Sequence, residues 1–184
     1  MCHSLINLEC MTRRNKEVYH NEKQIKFLQT LIPYKILHAS RGFGKSHVIG
    51  PQSLIFVNNL PGGIALLTCK ELKQAKAKTL PVIESSWNNM GMISGIHYSI
   101  SRSRPDYFKK PIREPKSPDV IWFPNGFCIE MVGSKQYDAA RGGSYDVVLG
   151  DEIAFFPESF MDDIVTPSIL SLIHISEPTR RHLI

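Results

Sequence analysis

The segment from Ala39 to Ser46, Ala-Ser-Arg-Gly-Phe-Gly-Lys-Ser, has the residue types and the order of a phosphate-binding loop, and it follows the apolar run Tyr34 to Leu37. Small residues let backbone N–H groups converge on a β-phosphate, while Lys45 would reach the β- and γ-phosphate oxygens and Ser46 would ligate Mg²⁺. The strict pattern has glycine where this chain has Ala39. Because Gly-Lys-Ser also occurs in ordinary surface turns, the loop needs a second signal.

The second signal is an apolar stretch that ends in two carboxylates, Asp-Val-Val-Leu-Gly-Asp-Glu at Asp146 to Glu152. Buried parallel strands have continuous apolar sequences, and ligands of open α/β sheets bind at the carboxyl ends of strands. We therefore expect Asp151 to hold Mg²⁺ through its water shell and Glu152 to orient and deprotonate an attacking water. The alternative is an ordinary strand with two solvated acids at its end. Together, the two segments indicate a nucleotide triphosphatase.

The elements that must position these motifs alternate between strand and helix, as in a sheet with helices on its faces. The tract His97 to Asp119 is polar and proline-rich, and carries six basic residues against three acidic ones. With its interleaved aromatic residues it could grip a phosphate backbone, but a flexible, solvated excursion is the simpler interpretation. The sequence predicts a strand at Gly63 to Thr68, a helix at Lys70 to Asn89, and a β-hairpin of Val120 to Phe123 with Phe127 to Val132 around Asn125-Gly126.

The joint pattern resembles the ATPase domain of the large terminase subunit of tailed bacteriophages and related viruses, the motor that pumps DNA into empty capsids. The resemblance covers residues 24 to about 169. Family members tolerate a residue other than glycine at the first loop position, so Ala39 suits this family. The matches are Arg-Gly-x-Gly-Lys-Ser at Arg41 to Ser46, Ala140-Arg141-Gly142, the Asp-Glu pair followed by Ile-Ala-Phe-Phe, and Val165 to Ser168.

The resemblance implies an α/β fold, a RecA-like (additional-strand) P-loop NTPase with a mostly parallel sheet flanked by helices. It places Arg41 among the phosphates, makes Arg141 a candidate arginine finger toward a neighbouring subunit's ATP, and gives Gln24 the position of an adenine-recognising glutamine. Arg141 could instead be an ordinary solvated charge. Gln24 could instead lie on the solvent-exposed face of an amphipathic helix. The expected catalytic residues are Glu152, Lys45 and Arg141; the expected nucleotide-binding residues are Gln24, Ser40, Arg41, Gly42, Phe43, Gly44, Lys45 and Ser46; the expected metal ligands are Ser46 and Asp151.

The cofactors implied by the resemblance are ATP and Mg²⁺. The implied partners are double-stranded DNA, a portal protein, a small terminase subunit and further copies of the chain in a homo-oligomeric ring on the capsid, with no membrane. The implied location is the host cytoplasm, with transient docking on the viral procapsid. Two alternatives stay open. The first is another P-loop ATPase that acts on nucleic acid, of the helicase or recombination type. The second is a non-catalytic nucleotide-binding or DNA-binding module.

The end of the chain needs a different explanation, because Leu170 to Arg180 matches the translation of a transposase-type sequencing-library adapter letter for letter. We expect residues 1–169 to be the ATPase domain, incomplete at its C-terminal end, and residues 170–184 to be an artefact that is excluded from fold reasoning. Full-length terminases continue through a coupling motif into an RNase H-like nuclease domain. Neither is expected here, so this polypeptide should cut no DNA.

Composition is compatible with these expectations. The net charge of +5 over 184 residues permits a polyanionic partner. The four cysteines show no C-x-x-C spacing, and no paired histidines accompany them, so neither a zinc site nor a disulfide framework is indicated, and they suit a reducing cytosol. No apolar run approaches the length of a membrane span, and Met1 to Cys10 lacks the basic start of a signal peptide.

Overall fold

Helices and strands alternate along the chain in the computed structural model, which describes residues 20–30, 35–37, 44–134, 142–153, 156–160, 162–163 and 166–167. None of the helices within these ranges has the length and apolar character needed to cross a membrane. The helices are α1 (Glu22–Gln29), α2 (Lys45–Asn59), α3 (Leu72–Gln74), α4 (Leu80–Asn89) and α5 (Glu158–Phe160), with a π-helical turn at Ala75–Thr79 between α3 and α4. The strands are β1 (Ile64–Cys69), β2 (Ser99–Ser101), β3 (Val120–Trp122), β4 (Cys128–Gly133) and β5 (Val147–Gly150).

The five strands form one sheet in the order β2-β3-β4-β1-β5. Strand β1 lies between β4 and β5 and is parallel to both, whereas β3 is antiparallel to both β2 and β4. The expectation of a mostly parallel sheet therefore needs correction, because the described sheet is mixed. The cause is the short turn between β3 and β4, since strands joined by a tight hairpin must run antiparallel. The nucleotide-side strands β1 and β5 keep the expected parallel arrangement.

Two of the elements predicted from sequence are confirmed, and one is modified. The strand predicted at Gly63 to Thr68 is β1, and the predicted hairpin is β3 and β4, with Gly126 at φ 87° in its turn. The helix predicted at Lys70 to Asn89 is interrupted by the π-helical turn at Ala75–Thr79. π-helical turns inside helices are rare and are frequent at functional sites.

Helices α2 and α4 cover one face of the sheet. Their side chains, among them Leu54, Val57 and Ile83, form one buried cluster with Ala65 and Leu67 of β1. At the contact between the two helices, a side chain on Gly50 would bring Cβ within 2.7 Å of the Ser86 hydroxyl oxygen, so glycine permits the close approach. This packing fixes α2, and with it the residues of its first turn, against the parallel part of the sheet.

The tract His97 to Asp119 contributes to the opposite face of the sheet. Phe108 lies in a second buried cluster with Ile64 and Leu66, whose side chains alternate with those of the first face. Backbone hydrogen bonds also anchor the tract, as from Ile112 N–H to the Gly62 carbonyl at 2.9 Å. The tract is therefore packed on the sheet and is not the flexible, solvated excursion that its composition suggested.

Candidate nucleotide-binding site

The last glycine of the predicted phosphate-binding loop, Gly44, caps the N-terminus of α2. Its backbone has φ 79° and ψ 31°, in the left-handed region that glycine adopts without strain. Helix α2 begins at the next residue, Lys45, and no side chain among the described residues caps this helix end. A helix N-terminus presents N–H groups and the positive end of the helix dipole, so this position favours an anionic group such as phosphate.

The structure places six of the residues predicted for the site, and the others lie outside the described residues. Those placed are Gln24, Gly44, Lys45, Ser46, Asp151 and Glu152; those outside are Ser40, Arg41, Gly42, Phe43 and Arg141. The roles assigned to the second group stay predictions from the sequence.

The structure brings Ser46 and Asp151 together. The Ser46 hydroxyl donates to the Asp151 carboxylate, with Oγ 3.2 Å from Oδ2 and 3.4 Å from Oδ1. Asp151 directly follows β5, and its N–H extends the ladder to β1 by donating to the Thr68 carbonyl at 2.9 Å. The carboxyl end of β5 therefore lies against the first turn of α2. The result is two hard oxygen donors beside a helix N-terminus.

The two adjacent acids turn in different directions. Glu152 has φ 59°, the only positive φ of a non-glycine residue in the described part of the chain. Such a conformation costs of order 1–3 kcal/mol and persists only where the surroundings impose it. Its carboxylate accepts a hydrogen bond from Gln74, with Nε2 3.0 Å from Oε2. The bend thus separates the Glu152 carboxylate from the contact between Asp151 and Ser46.

Two residues that the sequence analysis did not single out contact these acids. The Thr79 hydroxyl donates to Asp151 Oδ2 at 2.8 Å, and Gln74 donates to Glu152 as described above. Both belong to the stretch predicted as one helix, and nothing in their type or spacing marked them. Their placement depends on the π-helical turn, which no sequence pattern indicated.

These groups line a cleft of about 180 Å³. Burial raises the pKa of Cys69, which lies at the end of β1, so its thiol is kept protonated and unreactive. Lys78 places a cation at the edge of the cleft. The residues that line the cleft are Ser46, Cys69, Gln74, Lys78, Thr79, Val82, Asp151 and Glu152.

Gln24 joins α1 to the start of α2. It is 6% exposed, so the alternative that placed it on the wet face of a helix is wrong. Its Oε1 accepts the Asn21 N–H at 2.9 Å while Asn21 Oδ1 accepts the Gln24 N–H at 3.0 Å, a reciprocal capping box. Its Nε2 donates to the Gly44 carbonyl at 3.2 Å. Gln24 therefore supports the end of the loop, and recognition of adenine stays a prediction.

The donor set fits Mg²⁺ and a phosphate chain. Mg²⁺ prefers oxygen ligands and usually binds through one or two carboxylates, several waters and substrate phosphates. Ser46 and Asp151 offer a hydroxyl and a carboxylate on the same side of the cleft. The N-terminus of α2 lies beside them and suits the phosphates.

Comparisons with known proteins show which family and which fold the chain resembles. The family model described as "Terminase large subunit, T4likevirus-type, N-terminal" matches residues 36–176. Among solved structures, the ATPase domain of the large terminase of Thermus phage P74-26 has a TM-score of 0.58 and 15% identity, over 84% of this chain and 62% of that chain. A point mutant of that domain has a TM-score of 0.47 and 16% identity, over 71% and 52%. No curated protein matches the chain.

At 15% identity, the first of these structures shows only the fold, a mixed α/β domain that is RecA-like in general. The chain spans 62% of the length of that structure. The family model shows more, because its match to residues 36–176 covers well over half of the chain. The chain therefore belongs to the family of terminase large subunits, in the N-terminal domain of that family.

Proposed function

We propose that the chain is the ATP-hydrolysing motor domain of a viral DNA-packaging terminase, a P-loop NTPase of the additional-strand type that binds Mg·ATP in the cleft. The observation that carries this proposal is the contact between Ser46 and Asp151, with Oγ 3.2 Å from Oδ2. It supports a metal site at the point where the end of the phosphate-binding loop meets the carboxyl end of β5. An ordinary strand with two solvated acids would not need this contact.

Each described residue then has a chemical task. Lys45 would neutralise charge on the β- and γ-phosphates. Ser46 and, through its water shell, Asp151 would hold Mg²⁺, which would stabilise the charge of the transferred phosphoryl group. Glu152 accepts the proton of the attacking water on a carboxylate oxygen. Because Gln74 donates to that carboxylate, it holds Glu152 toward the cleft.

The remaining parts of the proposal follow from the family. Arg41 would contact the phosphates together with Ser40, Gly42 and Phe43, and Arg141 would act in trans on a neighbouring copy in a ring. The partners would be double-stranded DNA, a portal protein and a small terminase subunit, and the site of action would be the procapsid in the host cytoplasm. We also propose that residues 170–184 are adapter-derived.

The test is Mg²⁺-dependent ATP hydrolysis by the 184-residue chain over a range of protein concentrations. If Arg141 acts in trans, turnover per chain should rise with concentration, and Arg141→Ala should abolish the rise while retaining nucleotide binding. Arg102→Ala, which removes an exposed arginine of the tract His97 to Asp119, is the matched control and should behave as the parent.

The outcomes separate the alternatives. Binding of Mg·ATP without turnover at any concentration would indicate a non-catalytic module. Stimulation by single-stranded but not by double-stranded DNA would favour a helicase. A chain that binds no nucleotide would contradict the proposal itself.

A further inference from the structure

The hydrogen bond from Thr79 to the Asp151 carboxylate is shorter than the one from Ser46. Its Oγ1 lies 2.8 Å from Asp151 Oδ2, compared with 3.2 Å for the Ser46 hydroxyl. Thr79 is 5% exposed, so water has little access to replace its hydroxyl. A hydroxyl that donates to a carboxylate makes a charge-assisted hydrogen bond, which is stronger than one between neutral groups.

The π-helical turn explains why Thr79 reaches this position. The Leu80 N–H bonds to the Ala75 carbonyl, five residues back. In an α-helix, positions five apart are rotated by about 140° from each other. A π-helical turn holds more residues per turn, so Gln74 and Thr79 return toward one side of the helix. That side faces the cleft, where Thr79 bonds to Asp151 and Gln74 bonds to Glu152.

We infer that Thr79 is a positioning residue for the magnesium site, a role that rests on the function proposed above. Ser46 and Asp151 are both expected to hold the metal, Asp151 through the water shell of Mg²⁺. Thr79 is not an expected ligand, and its bond to Asp151 does not compete with the metal. It therefore fixes the orientation of the carboxylate both before and during metal binding.

The expected consequence of the Thr79 hydrogen bond is that nucleotide binding reaches half-saturation at a lower Mg²⁺ concentration. A ligand that is already oriented loses less conformational freedom on binding, and partners that hydrogen-bond to metal ligands typically affect metal affinity about 10–100-fold. Without the Thr79 hydroxyl, the Asp151 side chain would rotate more freely in the nucleotide-bound protein. The chemistry of the ligands themselves would not change.

The experiment measures binding, not turnover. A fluorescent ATP analogue is held at constant concentration with the 184-residue chain while Mg²⁺ is titrated, and the half-saturating Mg²⁺ concentration is recorded. Thr79→Val removes the hydroxyl and keeps the shape, and Thr79→Ser keeps the hydroxyl and removes the methyl. Thr68→Val is the matched control, because it removes a similarly buried hydroxyl that has no hydrogen-bond partner among the described residues.

We expect Thr79→Val to raise the half-saturating Mg²⁺ concentration by about 10-fold or more, and the Thr79→Ser and Thr68→Val proteins to stay close to the parent. If the Thr79→Val protein is not folded by circular dichroism, Thr79→Ser and Thr79→Cys make the same comparison, since a thiol is only a weak donor. An unchanged Mg²⁺ requirement in a folded protein without the hydroxyl would overturn the inference. An equal rise of the half-saturating Mg²⁺ concentration in the Thr68→Val protein would also overturn the inference. A parent chain without Mg²⁺-dependent binding would instead contradict the proposed function.

Discussion

The hydroxyl of Ser46 lies 3.2 Å from Asp151 Oδ2, although the two residues are 105 positions apart in the chain. The contact joins the first turn of α2 to the carboxyl end of β5. Thr79 adds a third element, the π-helical turn, to the same carboxylate. Because each element contributes a distinct chemical group, single substitutions can test them separately.

Lys45→Ala should weaken Mg·ATP binding without unfolding the chain. The substitution removes a hydrogen-bonding charge at the start of α2, and such contacts are worth about 1.5–3 kcal/mol, or roughly 10–100-fold in affinity. Calorimetric titration with Mg·ATP would measure the change. Lys73→Ala removes an exposed lysine of α3 and should leave affinity at the parental value. Equal affinities of the Lys45→Ala protein and the parent would reject the loop assignment.

The two acids after β5 should respond differently to loss of charge. Glu152→Gln should still bind Mg·ATP but lose hydrolysis by about 10²- to 10⁴-fold, as is typical when a general base is removed. Asp151→Asn should weaken the Mg²⁺-dependent binding itself, because Asp151 is the expected metal ligand. Parallel measurements of binding and turnover separate the two effects. If the Glu152→Gln protein hydrolyses ATP at the parental rate, this division of labour is wrong.

Gly126→Ala should destabilise the hairpin more than Gly95→Ala destabilises its turn. Both glycines have positive φ, 87° and 82°, so both substitutions introduce about 1–2 kcal/mol of backbone strain. A Cβ on Gly126 would also lie 2.6 Å from the Lys110 carbonyl oxygen, whereas one on Gly95 would meet nothing within 4 Å. This steric overlap should increase the loss of unfolding free energy for Gly126→Ala by about 1–3 kcal/mol. Denaturant unfolding gives the free energy of unfolding of both variants. Equal losses of stability would show that the hairpin turn relaxes around the Cβ of Gly126→Ala.

Deleting residues 170–184 should leave thermal stability and ATP binding nearly unchanged. If the segment is adapter-derived, it was never selected to pack on this domain, and poorly anchored termini contribute little. Melting curves and nucleotide titrations of the shortened chain check this expectation. An independent clone that retains Ser-Leu-Ile-His-Ile-Ser-Glu-Pro-Thr-Arg would show that the tail is genuine.

The features that sequence predicted correctly depend on local patterns. The strand β1 and the hairpin of β3 and β4 were predictable because apolar runs and Asn125-Gly126 constrain the backbone within a few residues. The types and spacing of Lys45, Ser46, Asp151 and Glu152 also predict phosphate chemistry, and their roles stay predictions. In each case the physical constraint lies within the motif itself.

Other features became visible only in the tertiary structure. The sheet is mixed because the hairpin adds antiparallel strands beside the parallel ones, and the tract His97 to Asp119 packs because its apolar residues find partners on the sheet. The capping box, with the bond to Gly44, buries Gln24. Thr79 reaches Asp151 through a π-helical turn. These outcomes depend on contacts between residues far apart in the chain, and propensity and spacing carry no information about such contacts.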